Sequence, residues 1–135
     1  MAPMIIFKAW IKNSKEEKMS NAAKSVFVFG IYELLMGCGL MVMPNPILMF
    51  FGFAATGEVW IRVTGFFACL LAFYDFQAVR QEMTEFFHWT VYARASVILF
   101  FTAFVWSGLA SPMLLLFGVI DLLGAIWTAL ALRKK

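Results

Sequence analysis

Three stretches of this chain carry no charge. No Asp, Glu, Lys or Arg occurs between Glu33 and Glu58, between Arg62 and Asp75, or between Arg94 and Asp121. A helix rising ~1.5 Å per residue crosses ~30 Å of hydrocarbon with about 20 mostly apolar residues. With their apolar flanks, these stretches are of that length. The chain has 135 residues, 63% of them apolar and 14% charged, against ~45–50% and ~25% in soluble domains. A globule this small has too little interior to hide so much apolar surface. A soluble fold and a disordered chain are both excluded; an integral membrane protein is expected.

Punctuation divides the chain. Pro44-Asn45-Pro46 ends the first span, because proline cannot supply the amide that continues a helix. Ser107-Gly108 with Ser111-Pro112 reads as a tight turn, with Ser111 as N-cap and Pro112 as the first helical residue. The polar stretch from Gln77 to His88 separates the middle pair. The predicted spans lie at about 24–43, 59–79, 89–106 and 112–132. They are too long for barrel strands and show no period-2 alternation. Helices satisfy their own backbone in lipid. The expected fold is therefore all-α and polytopic, a single-domain bundle of four transmembrane helices.

Basic residues in the connections set an expected orientation. Lys8, Lys12, Lys15, Lys18 and Lys24 precede the first span, Arg80 lies between the middle two, and Arg133, Lys134 and Lys135 end the chain. The other two connections hold none, which places both termini in the cytoplasm, in a bacterial inner membrane. Trp60 and Trp106 fall near the outer interface, Trp89 and Tyr92 near the inner one, where amphipathic rings are favoured.

Two segments are not expected to span. Residues 1–22 form a cytoplasmic interfacial segment with Met4, Phe7, Trp10 and Ile11 at helical spacing among lysines. Anionic headgroups attract such a helix; Lys8 and Lys12 interrupt the apolar core that a signal peptide needs. The run from Ile47 to Thr56 is too apolar for a free loop, and is expected to lie in the interface or fold back over the bundle mouth.

Ionisable groups within spans are costly, ~2.5 kcal/mol or more each, and face a partner or a cavity. Glu33, Asp75, Arg94 and Asp121 are the candidates for ligand binding or a buried ion pair. Glu33 lies about 13 Å past Lys24, at ~1.5 Å per residue. Arg94 is expected to pair with Glu33 or Asp75, in a polar cavity open to the cytoplasm, and Arg62 to snorkel outward. Trp10, Arg80, His88 and Trp89 are candidates for a partner or lipid interface. Small residues, namely Ala68, Ala72, Ala125, Ala129, Gly30, Gly37, Gly118 and Gly124, mark places where helices can approach closely.

No metal, cofactor or catalytic set is expected. His88 is the sole histidine, so two histidines of one chain cannot ligate a haem. Cys38 and Cys69 sit in different spans with no CxxC pair, and their spacing implies no disulfide. Phosphate loops and HExxH are missing. The basic N-terminus, interleaved with apolar residues, favours lipid over nucleic acid.

Two short resemblances bear on function. Tyr32-Glu33-Leu34-Leu35-Met36-Gly37 is similar to the first-helix acid region of small multidrug resistance proteins. That similarity implies a paired carrier exchanging protons for cationic drugs, though Arg94 and the long apolar first connection depart from the pattern. The stretch from Glu33 to Leu40 also resembles small four-helix bacterial membrane proteins of the DoxX-like kind, and transfers no functional residue. The expected role is a non-catalytic accessory or structural subunit of a larger membrane complex. Membrane lipids and other membrane subunits, or a second copy, are the expected partners. The alternative is a small proton-coupled transporter or a lipid- or quinone-binding bundle using Glu33 and Arg94.

Overall fold

The computed structural model describes residues 2–16 and 19–134, without the side chains of residues 10–16. These residues form six helices and no strand: α1 (Ala2–Glu16), α2 (Asn21–Val42), α3 (Pro44–Phe50), α4 (Trp60–Arg80), α5 (Thr84–Trp106) and α6 (Leu114–Arg133). Among them α2, α5 and α6 are long and apolar enough to cross a membrane. The sequence predicts four such helices. α4 has the length, 21 residues, but Arg62, Asp75 and Arg80 make it less apolar than the other three.

The helix ends explain two departures from the predicted boundaries. The polar stretch from Gln77 to His88 is mostly helical, because α4 runs to Arg80 and α5 starts at Thr84. The reversal is compressed into a Schellman turn. Glu82 N–H donates to the Val79 carbonyl at 3.2 Å and Met83 N–H to Ala78 at 3.0 Å. The same pattern ends α5, with Gly108 at φ +80 and Leu109 N–H bonded to the Phe104 carbonyl at 2.9 Å. α6 begins two residues later than predicted. Ser111 Oγ accepts from Met113 N–H at 3.3 Å. The amides of Leu114 and Leu115 bond three residues back, a 3₁₀ lead-in.

The start of α2 is fixed across the fold. Ser20 is its N-cap, accepting from Ala23 N–H at 3.1 Å. Its own N–H and hydroxyl donate to the two carboxylate oxygens of Glu82, at 2.8 and 2.7 Å.

α2 is the central helix, packed along α4 on one side and α6 on another, while α5 pairs with α6. α4 and α5 scarcely touch, although a three-residue turn joins them. The packed core gathers at the end of the fold where α2 and α5 start and α4 and α6 finish. Ala22, Ala23, Val26, Ala78, Val79 and Phe87 are buried there, against Ala131 and Leu132. Small residues bring the backbones together, as the sequence predicts for Gly37. A Cβ on Gly37 would stand 2.6 Å from the carbonyl oxygen of Gly65, so α2 and α4 meet backbone to backbone.

The fold is less filled at the opposite end. There α3 turns back over α2, as the apolar run after Pro46 implies. Ile47 Cδ1 lies 2.6 Å from where a Cβ on Gly39 would be, and the Phe51 ring lies 4.2 Å from that of Phe117 on α6. α1 is helical, and the described side chains of Met4, Ile5, Ile6 and Phe7 are each more than 60% exposed.

Candidate functional site

Four helices each contribute one charged residue to a single region: Glu33 from α2, Asp75 from α4, Arg94 from α5 and Asp121 from α6. Close helix approach makes this possible. One turn before Glu33, a Cβ on Gly30 would stand 3.4 Å from the Asp75 Cβ, so this face of α2 is pressed against Asp75. Asp75 and Arg94 are each 5% exposed. Asp121, Gly124 and Thr128 form one stripe on α6 by their helical spacing, and that stripe faces Arg94.

The sequence predicts that Glu33 or Asp75 pairs with Arg94, but the guanidinium is bonded elsewhere. Its hydrogen bonds go to threonines. Nε donates to Thr90 Oγ1 at 3.1 Å and Nη2 to Thr128 Oγ1 at 3.1 Å. Thr128 and Ser25 hydroxyls lie 2.7 Å apart, and Ser25 donates to the Ala22 carbonyl at 2.6 Å. Because the Ser25 proton is committed to Ala22, Thr128 must donate to Ser25. The chain of donors therefore runs from Arg94 on α5 through Thr128 on α6 to α2, each bond polarising the next. The guanidinium also stacks on Phe29, 4.5 Å from the ring centroid. Gly124 makes room for this pair, since a Cβ there would lie 2.9 Å from Nη1 and 3.0 Å from the Phe29 ring.

Two polar atoms are left over. Arg94 Nη1 and Glu33 Oε2 are buried with no hydrogen-bond donor or acceptor matched to them, although the Glu33 carboxyl group as a whole lies within hydrogen-bonding reach of Asp75. Both residues line a cleft of about 310 Å³ between α4 and α5, together with Asp75, Trp89, Thr90 and Asp121. A second and larger cavity, about 420 Å³, lies towards α3. Met36, Leu40, Leu48, Phe53, Ala68 and Phe117 form part of its apolar wall. Glu33 and Asp121 line both spaces, so the two carboxyl groups stand where the apolar cavity meets the charged cleft. The sequence predicts one polar cavity at the end carrying the termini. The charged cleft is on that side, and the larger, mostly apolar cavity is on the other.

The interface candidates are exposed. Arg80, His88 and Trp89 are at the surface beside the α4–α5 turn, and Trp89 is 62% exposed. Trp10 belongs to α1, but its side chain lies outside the described residues. Trp60 and Trp106 are exposed at the far end of the fold, and Tyr92 near Trp89. Arg62 does not simply extend outward: its Nη1 donates to the carbonyl oxygens of Met41 and Val42, the unpaired C-terminal carbonyls of α2.

Sequence reading missed Ser25, Phe29, Thr90 and Thr128. Only Thr90 carried a signal, one helical turn before Arg94; the others reach Arg94 through tertiary packing. Among the described residues, no group of three or more His, Cys, Asp and Glu side chains is placed to hold a metal ion. No protein-family model matches the chain, and no curated protein or solved structure matches it either.

Proposed function

We propose that this chain is a four-span membrane bundle that binds one amphipathic, lipid- or quinone-like molecule. The apolar body fills the cavity towards α3, and the polar head sits between Glu33 and Arg94. The observation that carries this reading is the junction itself. A cavity of about 420 Å³, within the ~300–1,000 Å³ usual for small-molecule sites, meets the charged cleft at Glu33 and Asp121, and across that cleft lies Arg94; Glu33 and Arg94 each carry a buried polar atom left unpaired. A head group that donates to Glu33 Oε2 and accepts from Arg94 Nη1 satisfies both, and each unpaired buried group otherwise costs about 1–3 kcal/mol. The role assigned to these residues is binding, with no catalytic step.

The membrane placement is part of the proposal. α4 is read as the fourth span because it packs along α2, with Arg62 spent on the α2 carbonyls and Asp75 buried in the cluster. The basic residues before α2, in the α4–α5 turn and after α6 favour termini on the cytoplasmic side of a bacterial inner membrane. α1 then lies in that interface, its exposed Met4, Ile5 and Phe7 among the lipids. A role as an accessory subunit is compatible with such a bundle, and the exposed Arg80, His88 and Trp89 beside the α4–α5 turn favour docking there.

The test is native mass spectrometry of the protein extracted in mild detergent, followed by titration with decylubiquinol, whose hydroxyls can donate, and with a lysophospholipid. One retained apolar molecule per chain, or saturable one-to-one binding of either probe, is expected. Ala68→Phe, which fills the cavity, should abolish it. A chain that carries nothing and binds neither probe, or an Ala68→Phe variant that binds as well as the parent, would overturn the reading.

A further inference from the structure

Away from the cavity, on the α2–α4 seam, three sulfur atoms converge. Cys38 Sγ and Cys69 Sγ lie 4.0 Å apart, and Cys69 Sγ lies 4.0 Å from Met41 Sδ. Cys38 and Met41 are one turn apart on α2 and share a face. Cys69 reaches them from α4 because Gly37 and Gly65 let the two backbones touch; a Cβ on Gly37 would meet Cys69 Sγ at 2.7 Å. Both cysteines are free, and neither is deeply enclosed.

We propose that Cys38, Cys69 and Met41 form a binding site for a soft monovalent metal ion, copper(I). Two thiols and a thioether are a soft donor set of the kind that selects copper(I) over harder ions. The geometry agrees. Cys69 Sγ lies 4.0 Å from each of the other two sulfurs, a spacing that one ion can bridge, since two sulfurs each ~2.3 Å from the same metal stand at most about 4.6 Å apart. Copper(I) is stable with three ligands in a plane. Structural zinc requires a fourth ligand, and the described residues place no third His, Cys, Asp or Glu beside the two cysteines. Binding displaces the thiol protons, which leave to solvent as the ion enters. Two thiolates around one copper(I) carry a net negative charge. The Arg62 guanidinium, bonded to the backbone of Met41 itself, supplies the nearby positive charge. Cys38 lies one turn from the C-terminal end of α2, and Cys69 near the middle of α4. It departs from the sequence-based expectation of no metal, because neither the separation of the two cysteines nor a lone methionine marks it.

The experiment is an anaerobic titration of the reduced, full-length protein in detergent or nanodiscs with copper(I), in competition with bicinchoninate. One copper(I) per chain is expected, with X-ray absorption showing three sulfur neighbours at about 2.3 Å. Cys69→Ser should abolish retention. Met41→Leu should weaken it at least tenfold and leave two sulfur neighbours. The sulfur count is read on the unmodified protein, so it does not depend on any variant folding. No one-to-one retention, an unchanged affinity in Met41→Leu, or a Cys38–Cys69 disulfide in air-oxidised protein whose reduced form holds no copper would each overturn the proposal.

Discussion

Ser20 and Glu82, sixty-two residues apart, are joined by two hydrogen bonds of 2.8 and 2.7 Å, and Glu82 is the one non-glycine residue with positive φ among those described, at 49°. The residue that reverses the chain between α4 and α5 therefore also caps the start of α2. Left-handed backbone costs a non-glycine residue of order 1 kcal/mol or more, and the paired bonds from Ser20 offset it.

Substitution separates these two contributions. Glu82→Ala keeps the unfavourable backbone and loses both bonds. It should lower unfolding stability by about 2–3 kcal/mol. Glu82→Gly loses the same bonds but relieves the backbone, and should cost about 1 kcal/mol less. Denaturation in mixed micelles, followed by circular dichroism, reads the difference. Equal losses would show that the turn stores no strain.

Thr128→Val removes the hydroxyl between Arg94 and Ser25 with little change of shape. It should destabilise by about 2–3 kcal/mol, the range for a hydrogen bond to a charged group. Ser25→Ala should cost less, because Ser25 is the far end of the chain of donors. In a double-mutant cycle the two losses should fall short of additivity. Additive losses would mean that the Thr128–Ser25 bond, 2.7 Å long, transmits nothing.

Gly124→Ala places a methyl group 2.9 Å from Arg94 Nη1 and 3.0 Å from Phe29. Overpacking of this kind costs about 1–3 kcal/mol. Adding Phe29→Leu should recover part of that loss by vacating space on one side. If the double variant is less stable than either single change predicts, the clash is not with Phe29.

Glu33→Gln should move two measurements in opposite directions. Three carboxyl groups and one guanidinium share the region, and removing an acid that lacks a partner at Oε2 should raise stability. Affinity for a decylubiquinol or lysophospholipid probe should fall about tenfold, the worth of one hydrogen bond to a charged group. A fall in both would mark Glu33 as structural.

Much of the fold is legible in the sequence. The charge-free runs place α2, α4, α5 and α6 within a few residues of their observed limits, because long apolar helices carry charge mainly at their ends or where protein meets it. The same logic singles out Glu33, Asp75, Arg94 and Asp121, and the fold brings all four together. The partners of Arg94 are not legible, since Thr128 and Ser25 are one hydroxyl among many until α6 is laid against α2. The polar residues Glu85 and His88 read as loop, yet they extend α5, because a Schellman turn needs only three residues to reverse the chain. The approach of Cys38 to Cys69 is hidden for a similar reason. It depends on Gly65, whose missing side chain matters only once Gly37 is opposite.

The poor contact between α4 and α5 has its own consequence for any molecule that uses the site. In a bundle sealed on every seam, a guest must come from water. On the proposed membrane placement, the slit beside Trp89 and Asp75 faces sideways, towards acyl chains. Supply is then governed by how much of the guest dissolves in the bilayer, so a sparingly soluble compound can saturate the protein at a vanishing aqueous concentration.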